Sequence, residues 1–169
     1  MSYNDDLPQT LGFTPDDITC NRDGSLSDSQ REKLRRMRQR ALLVGGSIVV
    51  ALIFVATGFL FVGQQNDSPI MTLVGIGLVM CNVVIMGVFT RYWLRLDGDL
   101  REGKVHSASG RAERVLRVTR GQRVSSYVLK IGEERFPTTR DTLKAFEHEK
   151  PYRAYYTPYA RVLLSAEPQ

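Results

Sequence analysis

Cysteine and histidine are scarce: two of each in 169 residues. Cys20 sits in a polar stretch and Cys81 in an apolar run, which rules out a disulfide framework and fits a reducing compartment for the polar parts. His106 and His148 have neither a cysteine nor a second histidine at metal-ligand spacing. No P-loop, nucleophile motif, glycine-rich dinucleotide turn or paired carboxylate in an apolar setting is written in the chain. His148, between Glu147 and Glu149, reads as a surface residue, and Ser125 and Ser126 read as the polar face of a strand. The expectation is a protein that is not an enzyme, with no catalytic residue, no cofactor and no metal.

Charge is missing where it matters most. The mean hydropathy of −0.20 averages over a divided chain. Residues 1–40 carry seven acidic and seven basic side chains, residues 41–94 only Asp67 and Arg91, and residues 95–169 fifteen basic and ten acidic, so the whole net charge of +5 lies in the last segment. The opening MSYNDDLPQT is too acidic for a signal or transit peptide.

The runs Ala41–Gly63 and Pro69–Thr90 each exceed the ~20 residues that cross ~30 Å of hydrocarbon. They predict two transmembrane helices in residues 41–94, joined by the tight turn QQNDSP and therefore antiparallel. Ser68 is placed to cap the second helix, with Pro69 at its first position. Arg35, Arg36, Arg38 and Arg40 stand just before the first helix, Arg91 and Arg95 at the end of the second, and the turn has no Lys or Arg. The positive-inside rule then puts both termini in the cytoplasm, as in a bacterial inner membrane. The same arginines attract anionic lipid headgroups. Ser47, Gly77 and Cys81 belong to small-residue spacings that permit close helix approach, within the hairpin or against a protein partner or another copy. With the turn centred near Asn66, Asn82 falls at the depth of Val50, where a hydrogen bond to Ser47 would keep it from being stranded in lipid.

Before the membrane, residues 1–26 read as an acidic extended tail and residues 27–40 as a basic juxtamembrane helix. NRDGSLSDSQ imitates a calcium loop, but Thr19 and Gln30 occupy its two end positions where acidic ligands are required. A turn at Asp23-Gly24 and a capping box from Ser27 to Gln30 account for the stretch better. The helix then starts near Asp28 and runs unbroken into the membrane.

DGDLREG after Leu96 reads as a helix break, and residues 97–169 as a cytoplasmic β domain. Strands are expected at 104–107 with 112–119 as one bent strand, then 125–131, 134–136, 152–156 and 161–165, with hairpin turns at Arg120–Arg123 and Gly132-Glu133. A helix capped by Thr138 or Thr139 buries Leu143 and Phe146 and ends by Pro151. Three strands, a helix and two strands is the order of a small OB-like barrel, with an SH3-like roll as the alternative. A membrane hairpin followed by such a barrel resembles, in layout, the nodulation-efficiency group of bacterial membrane proteins. The candidate ligand face joins Tyr127 to Arg117, Arg123 and Arg135; nucleic acid is an unfavoured ligand, because the aromatics are needed as core. The expected role is that of a scaffold, accessory or regulatory module in a larger membrane assembly.

Overall fold

A computed structural model describes residues 6–119 and 123–169, with side chains over 7–115 and 127–169. The chain forms two units. Lys33–Gly98 is one; the residues up to Glu32 and from Asp99 onwards together make the other.

The first unit is carried by two long helices, α3 (Asp28–Gln65) and α4 (Pro69–Glu102). At the start of α3 the expected capping box is closed: Ser27 Oγ accepts from the Gln30 N–H at 3.2 Å, and Gln30 Oε1 accepts from the Ser27 N–H at 3.4 Å. Asp67, at φ 45°, sits in the short turn before Pro69 opens α4. The two helices pack as a hairpin where side chains vanish: a Cβ on Gly75 would stand 2.7 Å from Leu60 Cγ, and one on Gly45 would collide with the Phe89 ring. Both helices are long and apolar enough to cross a membrane. DGDLREG does not break α4, which ends only at Gly103 with φ 62°. Its aspartates escape competition with the helix backbone by binding elsewhere, Asp97 to Arg38 and Asp99 to the backbone of Tyr159 and Ala160.

The second unit is a five-stranded antiparallel sheet of β1 (His106–Thr119), β2 (Arg123–Ile131), β3 (Glu134–Thr138), β4 (Pro151–Tyr156) and β5 (Leu163–Pro168), ordered β3-β2-β1-β4-β5. β1 is the one long strand expected: His106–Arg111 pairs with β4 and Ala112–Thr119 with β2. Gly132, at φ 62°, turns β2 into β3. The turn expected at Arg120–Arg123 lies largely outside the described residues. α5 (Arg140–Ala145), capped by Thr139, buries Leu143, and Phe146 is buried just beyond it.

Two expectations are corrected. The sheet is open, not a closed OB-like barrel or SH3-like roll: among the described residues the edge strands β3 and β5 share no ladder. The N-terminal arm is not extended. It forms α1 (Asp6–Leu11) and α2 (Pro15–Arg22), with α1 packed on α5 and β5 and α2 on β5. Leu7, Leu11 and Phe13 enter the same core as Leu129, Ile131, Phe136, Phe146 and Tyr152. Apolar surface that barrel closure would have hidden is covered instead by the arm.

Candidate functional site

The arginines flanking the apolar helices separate into two kinds. Arg38 is committed to its own unit: Nη1 donates to Asp97 Oδ1 at 2.6 Å, and the guanidinium lies 5.9 Å from the Trp93 ring centroid. Arg36 is also engaged. Arg35, Arg40, Arg91 and Arg95 are exposed and, among the described residues, make no ion pair. Arg91 and Arg95 are one helical turn apart. Each is a permanently charged fork that, among the described residues, has no ion-pair partner and suits a phosphate or carboxylate group.

Within the hairpin, the expected partners do not meet. Ser47 Oγ donates to Val44 O of its own helix at 2.9 Å. Asn82 reaches α3 nonetheless, its Nδ2 donating to Val49 O at 3.2 Å, a backbone acceptor that residue spacing cannot single out. Gly77 faces open space. The close approaches instead use Gly45, Gly63 and Gly75, because they fall on the facing sides of the two helices.

In the sheet unit the proposed ligand face divides. Tyr127 packs against the core, on the side of β2 that carries Leu129 and Ile131. Arg135 is exposed opposite Lys130, on the other side of the sheet from Phe136. The side chains of Arg117 and Arg123 lie outside the described residues. Arg114, on β1 with Arg117, donates to Phe146 O from Nε at 3.0 Å and so holds the end of α5. His148 is exposed, and His106 meets Tyr156 edge to face at 6.0 Å.

The polar side chains that this unit does bring together were not singled out by sequence. Asp99, fully buried, accepts from the N–H groups of Tyr159 and Ala160, each at 2.8 Å, and so clamps the β4–β5 turn. Asp17 Oδ2 accepts from Thr14 N–H at 2.8 Å, and its Oδ1 accepts from the hydroxyls of Ser27 and Ser29. Burial alone would raise this carboxyl, but those hydrogen bonds outweigh it and hold Asp17 below the ordinary carboxylate range. Asn21 Nδ2 donates to the buried Ser165 Oγ at 2.6 Å. Arg22 pairs with Glu167, which also accepts from Tyr155 Oη at 2.7 Å. The Arg22 guanidinium holds the Glu167 carboxyl low against the opposing effect of burial, while burial and the neighbouring Glu167 push the Tyr155 phenol up.

Each of these groups joins segments distant in sequence: arm to β5, arm to the start of α3, α4 to the β4–β5 turn. Among the described residues no group of three or more His, Cys, Asp and Glu converges as a metal would require. One signal for the arm was legible: Thr14-Pro15-Asp16-Asp17 is a capping box with proline at the first helical position, and the structure closes it. No sequence rule points from Asp99 to a turn sixty residues away.

The two units thus define an apolar helical hairpin joined to an α+β sheet domain built from both ends of the chain. Compared with protein-family models, curated proteins and solved structures, the chain matches none.

Proposed function

We propose that this chain is a non-enzymatic integral membrane protein. Its hairpin crosses the cell membrane twice, with both termini in the cytoplasm, and its sheet domain serves as a scaffold, accessory or regulatory module for a membrane assembly. The observation that carries this reading is the outer surface of the hairpin. From Leu42 to Val88 large apolar side chains are exposed along both helices, and the partnerless arginines stand only at the end opposite the turn. Such a surface costs free energy in water and none in hydrocarbon, at about 25 cal/mol for each Å² withdrawn from water. The arginines at the membrane–water boundary fix the orientation and bind anionic headgroups, at about 1 kcal/mol each.

The sheet domain's buried carboxylates support a binding or scaffolding role over a catalytic one, because Asp17 and Asp99 are already used to hold the fold together. Orientation is tested by a single cysteine at the turn, Asn66→Cys, in a chain carrying Cys20→Ser and Cys81→Ser. A membrane-impermeant maleimide added to intact cells labels it if the turn is outside. Labelling only after lysis overturns the orientation, and a chain recovered in the supernatant after alkaline extraction overturns the membrane assignment.

A further inference from the structure

A groove of about 310 Å³ runs along one flank of the hairpin, lined by Ile53 and Thr57 from α3 and by Val79, Asn82, Val83 and Met86 from α4. All are apolar or weakly polar except Asn82. That residue is only 8% exposed, and one of its amide hydrogens is given to Val49 O. Its Oδ1 has no donor, although the atom is buried. Resting on the membrane reading above, this becomes a sharp deficit: the bilayer interior holds no water to fill the vacant acceptor, and an unmet polar group there is costly.

We infer that this groove is the interface of a two-fold dimer, in which the Asn82 carboxamides of two copies hydrogen-bond to one another. Three arguments select a second copy as the occupant. All copies insert with the same orientation, so a two-fold axis along the membrane normal brings residues of equal depth together, and Asn82 meets Asn82. A carboxamide is self-complementary: with one N–H spent on Val49, each side chain retains one N–H and the Oδ1, which is what the opposite amide needs. Amide χ2 is a soft torsion that moves Oδ1 and Nδ2 together, so only a small rotation is available to bring Oδ1 towards the partner with Nδ2 still in reach of Val49 O. The apolar rim, with Val83 and Met86 exposed, then packs against its own copy without burying any charge. Helical periodicity puts Gly77, Cys81, Val84 and Val88 on the opposite side of α4 from the groove, so that face remains with lipid.

The test uses the full-length chain in bilayer vesicles, with Cys20→Ser and Cys81→Ser throughout. Val83→Cys, on the groove rim, is expected to form disulfide-linked dimers on mild oxidation, and Val84→Cys, on the far face, to remain monomeric. Energy transfer between labelled copies is expected to report association about tenfold weaker for Asn82→Leu, the range of an interhelical hydrogen bond in lipid. Val83→Trp keeps Asn82 and its bond to Val49, fills the groove, and is expected to break the dimer; Val84→Trp is expected to leave it unchanged. Equal cross-linking at positions 83 and 84 overturns the inference. So does unaltered association in both Asn82→Leu and Val83→Trp, and so does a wild-type chain that sits in the vesicles as a monomer, which would give the groove to another protein's helix. Vesicle flotation of the same samples reads membrane partitioning independently: a chain that fails to float defeats the membrane reading itself.

Discussion

The two units of this chain are built inside out with respect to one another. In the sheet domain Phe136, Phe146 and Tyr152 are buried, while Arg111, Arg135 and Arg153 are exposed. In the hairpin the order reverses: Leu43, Phe54 and Val84 are exposed, while Ala56 and Asn82 are buried between the helices. One requirement produces both patterns. Polar groups must find partners and apolar surface must leave water, and a unit that turns its oily side outward is what the proposed membrane setting requires.

The comparison is broken most directly by making one substitution in both units. Phe13, buried in the sheet-domain core, and Phe54, 75% exposed on α3, are the same residue in opposite settings. Phe13→Ala is expected to destabilise the sheet domain by about 3–5 kcal/mol, because it leaves a cavity as well as losing buried apolar contact. Phe54→Ala is expected to change stability by less than about 0.5 kcal/mol. Urea unfolding of the full chain in mild detergent, followed by tyrosine near-ultraviolet circular dichroism, measures both. Near-wild-type stability for Phe13→Ala would detach the arm from the core.

The next largest effect tests whether the two units face different solvents. Phe54→Asp would be nearly silent on a water-facing surface but costs about 2.5–3.5 kcal/mol at the centre of a membrane helix. The fraction of chain that resists alkaline extraction is expected to collapse for Phe54→Asp and to hold for Arg135→Asp, an exposed position of the sheet unit. Equal behaviour of the two would remove the distinction between the units.

How far the sequence announced this architecture depends on how local each signal is. The existence of the hairpin was legible, because length, apolarity and the turn at Gln64–Pro69 are properties of contiguous residues. The Ser27 capping box and Thr139 cap were legible for the same reason. Sheet order could be read from the succession of strands, but closure could not, since it depends on whether β3 and β5 meet or something else covers the core. That something was the arm, whose acidity masked Leu7, Leu11 and Phe13. Asp17 looked like part of a solvated tail although Thr14 three residues before it marks a helix start. Asn82 was recognised as needing a partner, but its partner is the carbonyl of Val49, and backbone acceptors leave no trace in residue type. Of the candidate ligand face, Tyr127 and Arg135 fall on opposite sides of the sheet, a separation set by strand pairing and not by residue type.

A smaller effect tests the clamp that ties α4 to the sheet's last turn. Asp99→Ala removes an acceptor for two backbone N–H groups and leaves those donors without it in a buried site. A hydrogen bond to a charged group is worth about 1.5–3 kcal/mol, so a loss of about 2–3 kcal/mol is expected, with Asp99→Asn, which keeps one acceptor oxygen, losing less. Both read out as lowered urea midpoints of the sheet domain. A loss for Asp99→Asn as large as that for Asp99→Ala would assign the effect to charge and not to the clamp.

The last and weakest contrast is in pH. Glu167 is held low chiefly by Arg22, and Asp17 by the hydroxyl and backbone donors that outweigh its burial. For a carboxyl whose folded pKa lies below its unfolded value of about 4, the unfolded state binds more protons. Its contribution is therefore complete above that value and is lost as pH falls through the folded pKa. The sheet domain should soften on acidification below about pH 4, and Glu167→Gln and Asp17→Asn should each flatten that limb while lowering stability at neutral pH. Residues 41–94 of the hairpin carry Asp67 as their single carboxylate, at the turn, so helix content there should stay level over the same range. Melting temperatures of the sheet domain between about pH 3 and pH 6 decide the matter: an acid limb equally steep in both variants and wild type would mean that these two carboxylates are not what makes the domain acid-sensitive.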